Sequence, residues 1–175
     1  MRNGSACAKW RGLTPTATRR PNFMSDLLND LWLPPSGTVI CPASAVEPEQ
    51  TRGFVISDPH STKYLDLIIW HTPDGFRGFV NRCPHLGLPL ETFPDRFLNA
   101  LGDALVCSAH GAHFDATGHC LAGPCVGEAL MLLELDVRPR SCAEPTASGR
   151  AANGGKPADA GADKDIVLIG RLAHS

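Results

Sequence analysis

The chain lacks the marks of several protein classes. Over 175 residues no apolar stretch approaches the ~20 residues that a membrane-spanning helix needs. Neither sign of charge dominates: 16 Lys and Arg stand against 18 Asp and Glu, a formal net charge of −2. That balance gives no electrostatic case for nucleic-acid binding. Long helical patterns are scarce. The seven cysteines are an odd number, with no evident secretory signal, which argues against a secreted disulfide framework. No acidic residue precedes Asp26, whereas Arg2, Lys9, Arg11, Arg19 and Arg20 do.

Three readings of residues 1–23 compete. An Arg-rich, acid-free segment suits an organelle transit peptide. Thr18-Arg19-Arg20 before Phe23 suggests a twin-arginine signal, but Asp26, Asn29 and Asp30 interrupt the apolar stretch such a signal requires. The default expectation is an unstructured arm over residues 1–36, with one short helix from Ser25 to Leu33. Ser25 would cap that helix, Asp26 would sit in its first turn, and Pro34-Pro35 would end it.

What is present is glycine, proline and short β-branched runs. With 17 Gly and 15 Pro, the composition favours a loop-rich β protein of one domain plus irregular extensions. Thr38–Cys41, Arg52–Ile56, Tyr64–Trp70 and Phe76–Val80 read as strands, the last two joined by the turn Pro73-Asp74-Gly75. A second hairpin is expected from Phe97–Ala100 to Ala104–Val106 around Gly102-Asp103. Ala129–Val137 reads as a strand, though its Leu and Met richness also permits a helix, and Asp165–Gly170 reads as the last strand. Residues 139–164 are rich in Ala, Gly, Pro, Ser and Asp and read as a flexible insertion. Such an insertion costs little, because loop-closure entropy grows slowly with length.

Chemistry concentrates just after the two hairpins. Cys83-Pro84-His85 follows the first and Cys107-Ser108-Ala109-His110 the second, and each pair is followed by glycine, Gly87 and Gly111. Each pair offers one thiolate and one imidazole. Zinc also accepts two Cys and two His, but its usual pattern keeps the Cys together and the His together.

The segments 81–90 (NRCPHLGLPL) and 106–115 (VCSAHGAHFD), with Thr117–Pro124 (TGHCLAGP) after them, resemble the two cluster-binding loops and the Gly-Pro loop of the Rieske family. The resemblance runs from about Thr38 to Val137. It implies an all-β fold: a Rieske-type antiparallel β sandwich or barrel with a small cluster-binding subdomain of two loops. It implies one Rieske-type [2Fe–2S] cluster per chain, with Cys83 and Cys107 on one iron and His85 and His110 on the other. The implied Rieske domain is 37–138, and residues 165–175 would return to it as a final strand.

The departures from the family's high-potential members are informative. In respiratory-chain Rieske proteins an extra Cys in each loop forms a disulfide; the matching positions here are Leu88 and Ala109. Those members also place Ser and Tyr hydroxyls against cluster sulfur, where this chain has Ala112 and Phe114. Fewer donors stabilise a reduced cluster less, so the expected potential is low, around or below roughly −100 mV.

The resemblance is thus to low-potential soluble Rieske-type ferredoxins. It implies a non-catalytic electron carrier in the cytoplasm, taking electrons from a flavin reductase and passing them to an oxygenase or similar redox enzyme. A Rieske-like small subunit of a larger reductase and a zinc-binding non-redox module are the alternatives. A catalytic Rieske oxygenase subunit is excluded, since His60, His71 and His174 form no second iron site. His113 and His119 read as hydrogen-bonding or surface residues. Cys120 and Cys125 read as free thiols, with a local disulfide as the alternative. Leu86, Leu88 and Pro124 read as a docking patch or as a shield for the cluster.

Overall fold

In the computed structural model, which describes residues 31–140 and 164–171, almost all regular structure is strand. The order is β1 (Thr38–Pro42), a 3-10 turn (Ala43–Ala45), β2 (Thr51–Ser57), β3 (Tyr64–Thr72) and β4 (Gly75–Val80). Then come β5 (Leu105–Cys107), β6 (Ala112–Phe114), β7 (Cys120–Ala122), β8 (Leu132–Pro139) and β9 (Lys164–Arg171). Among the described residues no helix is long and apolar enough to cross a membrane. The helix expected over Ser25–Leu33 lies mostly outside the described residues. Leu31, Trp32 and Leu33 carry no helix and pack against the core instead.

Two antiparallel sheets form. Six strands, in the order β1-β9-β8-β4-β3-β2, build a nearly closed barrel, and β5-β6-β7 form a small second sheet. The all-β antiparallel architecture is as the sequence implied. The turn Pro73-Asp74-Gly75 joins β3 to β4 in a tight register, with Thr72 opposite Gly75, and Gly75 takes φ +116°. A left-handed backbone at this position suits glycine, which has no Cβ to clash. The last strand inserts between β1 and β8: Val39 pairs with Val167, and Asp136 also pairs with Val167 from the other side.

Strand β3 is the wall shared by two cores. Alternate residues of a strand face opposite sides. Leu65, Leu67 and Ile69 therefore pack inside the barrel with Val80, Leu133, Ile166 and Leu168. Ile68 and Trp70 face the other way, onto Phe79, Phe97, Leu105, Phe114 and Leu130. Burial on both faces explains why β3 reads as a near-continuous apolar run rather than a clean alternation. Full burial of an Ile or Leu side chain contributes about 1.5–3 kcal/mol each. That is enough to hold the small sheet, with its two ligand-loop thiols, on the barrel.

Two expected elements are corrected. Of the second hairpin, the first arm is not a regular strand: Val106 N–H donates to Phe97 C=O, Asn99 N–H donates to Ala104 C=O and Leu98 bridges Leu105, while the strand partner of β5 is β6. The strand expected from Ala129 begins at Leu132. Before it, Leu130 N–H donates to Gly118 C=O and Cys120 N–H to Glu128 C=O, so residues 128–130 are held by the small sheet.

Candidate iron–sulfur site

The two ligand-type loops close in the same way. Gly87 N–H donates to Cys83 C=O at 2.7 Å, and Gly111 N–H donates to Cys107 C=O at 2.9 Å. Each bond spans four residues, and each glycine sits in the left-handed region, at φ +70° and +68°. Cysteine begins each loop, glycine ends it, and histidine lies between them.

Two links cross-tie the loops where a respiratory-type disulfide has no cysteines to form. Ser108 N–H donates to Leu90 C=O at 2.7 Å, and the Thr92 and Ser108 hydroxyls meet at 2.7 Å. Gly123 of the Gly-Pro loop lies against Ala112 of the second loop, backbone on backbone. The β6–β7 turn is tied by Asp115. Its Oδ1 accepts from Thr117 N–H, Thr117 Oγ1 and His119 N–H.

Cys83 and Cys107 are both buried and belong to the same core as Phe79 and Phe114. The two thiols lie close enough to interact. Burial pushes the Cys83 thiol up to about 11. A thiol so placed becomes a thiolate readily only with a cation bound to it. The imidazoles of His85 and His110 meet edge to face, with ring centroids 4.9 Å apart; His85 is partly exposed and His110 exposed. The four side chains singled out in the sequence are thus brought together as a buried thiol pair and an outer imidazole pair.

Among the described residues, no three His, Cys, Asp or Glu side chains converge on a single point as one metal ion requires. A closed zinc site needs four ligands about one ion. A Rieske cluster divides its protein ligands two to each iron, so two separate pairs are the donor set it calls for. Two Cys and two His are the donor types such a cluster takes, so the residues present fit it by their chemistry. His113 and His119 are engaged locally: His113 Nδ1 donates to Gly111 C=O at 2.9 Å, and His119 Nδ1 lies 2.8 Å from Thr117 Oγ1.

Ala112, paired with Cys107, and Phe114, paired with Leu105, carry no hydroxyl. Ala112 and Phe114 are fully buried in the site's core. Leu86, Leu88, Leu121 and Val126 are exposed apolar side chains on the ligand loops and the Gly-Pro loop.

Sequence reasoning missed Asn81. It is 4% exposed, and it accepts from Leu90 N–H at 2.9 Å while its amide donates to Glu91 and Asp66. Asn81 thereby joins the two ends of the first loop. A polar residue at the end of a strand run was the only signal, and it is a weak one. The approach of Cys125 to Cys83 was also missed.

The model of the Rieske [2Fe-2S] domain matches residues 36–138. The chain belongs to the Rieske [2Fe-2S] domain family. It therefore carries a Rieske-type [2Fe–2S] cluster, and its functional class is one-electron transfer. No curated protein matches the chain. Among solved structures, the complex of reduced oxygenase and oxidized ferredoxin in carbazole 1,9a-dioxygenase is similar at 18% identity and TM-score 0.48. The match covers 78% of this chain and 96% of that one.

Proposed function

We propose that Cys83 and Cys107 hold one iron of the cluster and His85 and His110 the other. We further propose that the protein is a free, monomeric ferredoxin of the cytoplasm. It takes single electrons from a flavin reductase and delivers them to an oxygenase or similar redox enzyme. The observation that supports this reading is the pair of imidazoles in contact, His85 partly exposed and His110 exposed, on the loops whose thiols are buried. An outer imidazole edge gives a partner a short path, while the thiols stay shielded from water.

When bound, the cluster supplies a one-electron couple whose potential its ligands and their hydrogen bonds set. The chain's own residues do the rest. Neutral imidazoles replace two thiolates and remove negative charge, which makes reduction less costly than in an all-Cys site. Leu86 and Leu88 surround the imidazoles with apolar surface suited to docking. The Rieske domain of this reading is 37–138, completed by the strand within 165–175, with 139–164 as an insertion and 1–36 as an arm.

The test is low-temperature EPR of the dithionite-reduced protein, with iron, zinc and acid-labile sulfide assayed on the same sample. A rhombic signal with average g below that of all-Cys clusters, with two irons and two sulfides per chain, is expected. His110→Cys should lower the potential or lose the cluster. A protein silent in EPR with stoichiometric zinc overturns the reading. Tight co-purification with a large reductase would instead make the chain a subunit.

A further inference from the structure

Cys120 and Cys125 bracket the Gly-Pro loop, and their sulfur atoms lie 3.2 Å apart. In the structure both are thiols, and both side chains are buried. The backbone already holds the loop's ends together. Cys120 N–H donates to Glu128 C=O and Glu128 N–H to Cys125 C=O, each at 2.9 Å. A disulfide has sulfurs about 2.05 Å apart. Closing the remaining ~1 Å is within the reach of two side-chain rotations, with no rearrangement of the fold. The residues between them, Leu121 to Pro124, are exposed, so a small oxidant reaches the loop from solvent.

Cys125 has a second contact. Its thiol lies against Cys83, in the same core. A free thiol carries an S–H, so Cys125 is placed to donate toward the Cys83 sulfur. One small loop therefore joins a vicinal thiol pair to one end of the electron-transfer site.

We propose that Cys120 and Cys125 form a reversible disulfide that switches the potential of the cluster through Cys83. The proposal rests on Cys83 being a cluster ligand. The oxidant is a low-molecular-weight disulfide. One cysteine thiolate attacks it, forming a mixed disulfide and releasing one small thiol. The second cysteine then attacks the mixed disulfide, forming the Cys120–Cys125 bond and releasing the second small thiol. The protein loses two electrons and two protons, and the oxidant gains them. The closed disulfide has no S–H, so the Cys83 sulfur loses its donor. Hydrogen bonds to cluster sulfur raise the potential. The oxidised protein is therefore the form with the more negative cluster potential.

The experiment uses the cluster-loaded full chain, equilibrated without oxygen in glutathione buffers from reducing to oxidising. Each sample is divided between alkylation with peptide mass mapping and protein-film voltammetry. The expected result is loss of alkylation at Cys120 and Cys125 together, in a peptide two hydrogens lighter, with the midpoint shifted negative and both effects reversed by dithiothreitol. Cys125→Ser keeps an O–H donor but cannot close, so its midpoint should stay near that of the reduced protein and ignore the buffer. Cys120→Ala keeps the Cys125 thiol and should ignore the buffer too. Cysteines that stay alkylatable in every buffer overturn the switch, as does a disulfide that forms without moving the midpoint. Failure of the ligand reading is separate: a Cys83→Ser protein would then keep two irons per chain, whatever the state of Cys120 and Cys125.

Discussion

Gly123 lies so close to Ala112 that a Cβ on it would stand 2.6 Å from the Ala112 Cα. The Gly-Pro loop rests on the second ligand loop with no side chain between them, and Gly123 holds φ +105° to do so. Gly123→Ala meets both obstacles. Backbone strain of this kind costs about 1–3 kcal/mol, and the contact with backbone atoms cannot relax by rotation. The variant should melt at a lower temperature and lose its visible cluster absorbance faster. Unchanged cluster lifetime would mean that the Gly-Pro loop does not protect the site.

The potential should be low because Ala112 and Phe114 stand where high-potential Rieske proteins place hydroxyls. Protein-film voltammetry of the unmodified protein should give a midpoint around or below roughly −100 mV. Phe114→Tyr and Ala112→Ser each add a donor at a fully buried position in the site's core, so each should raise the midpoint. A strongly positive midpoint in the unmodified protein would sink the argument.

Asn81 holds the first ligand loop closed. Its carbonyl oxygen accepts from the buried Leu90 N–H, and its amide ties Glu91 to Asp66. Asn81→Ala leaves that N–H without a partner, which costs about 1–3 kcal/mol. Urea unfolding of the variant should show a lower midpoint with a similar slope. Its cluster should also be lost more readily, since Cys83 lies two residues on.

Asp66 gives stability a dependence on pH. Burial raises its carboxyl above the ordinary aspartate range, the Asn81 hydrogen bond opposes that shift, and the nearby Glu91 adds to it. The folded state therefore holds this proton more tightly than the unfolded chain does. The stabilisation is fully present below the unfolded-state value, about pH 4, and is lost as pH rises through the folded-state value. Asp66→Asn keeps an acceptor for Asn81 and removes the titration. Urea midpoints measured across this window should fall with rising pH less steeply in the variant. An identical slope in both proteins would exclude Asp66 as the source.

Much of the site was legible because its signals are local. A cysteine, a histidine and a glycine within five residues describe one closed loop, and Gly87 and Gly111 adopt the left-handed conformation that such a closure favours. The strands β2, β3 and β4 were legible for the same reason: each is a β-branched or apolar run bounded by turn residues. The strands β6 and β7 were not foreseen. At three residues each they are too short to show a period, and their pairing comes from the turn that Asp115 ties. The second hairpin closes as its Gly102-Asp103 turn suggests, but its first arm is too irregular to be a strand, and β5 takes its strand partner from downstream.

The sequence by itself determined the donor chemistry, the two loops that present it and the all-β class. These depend on residue type and on spacings of a few positions. Only the tertiary structure decided which faces of β3 serve which core, that β9 enters between β1 and β8, and that Asn81 locks the first loop. It alone brought Cys125 against Cys83, 42 positions apart by number. Such contacts join residues far apart in the chain. No local pattern encodes them, because they are fixed by how the two cores pack against one shared strand.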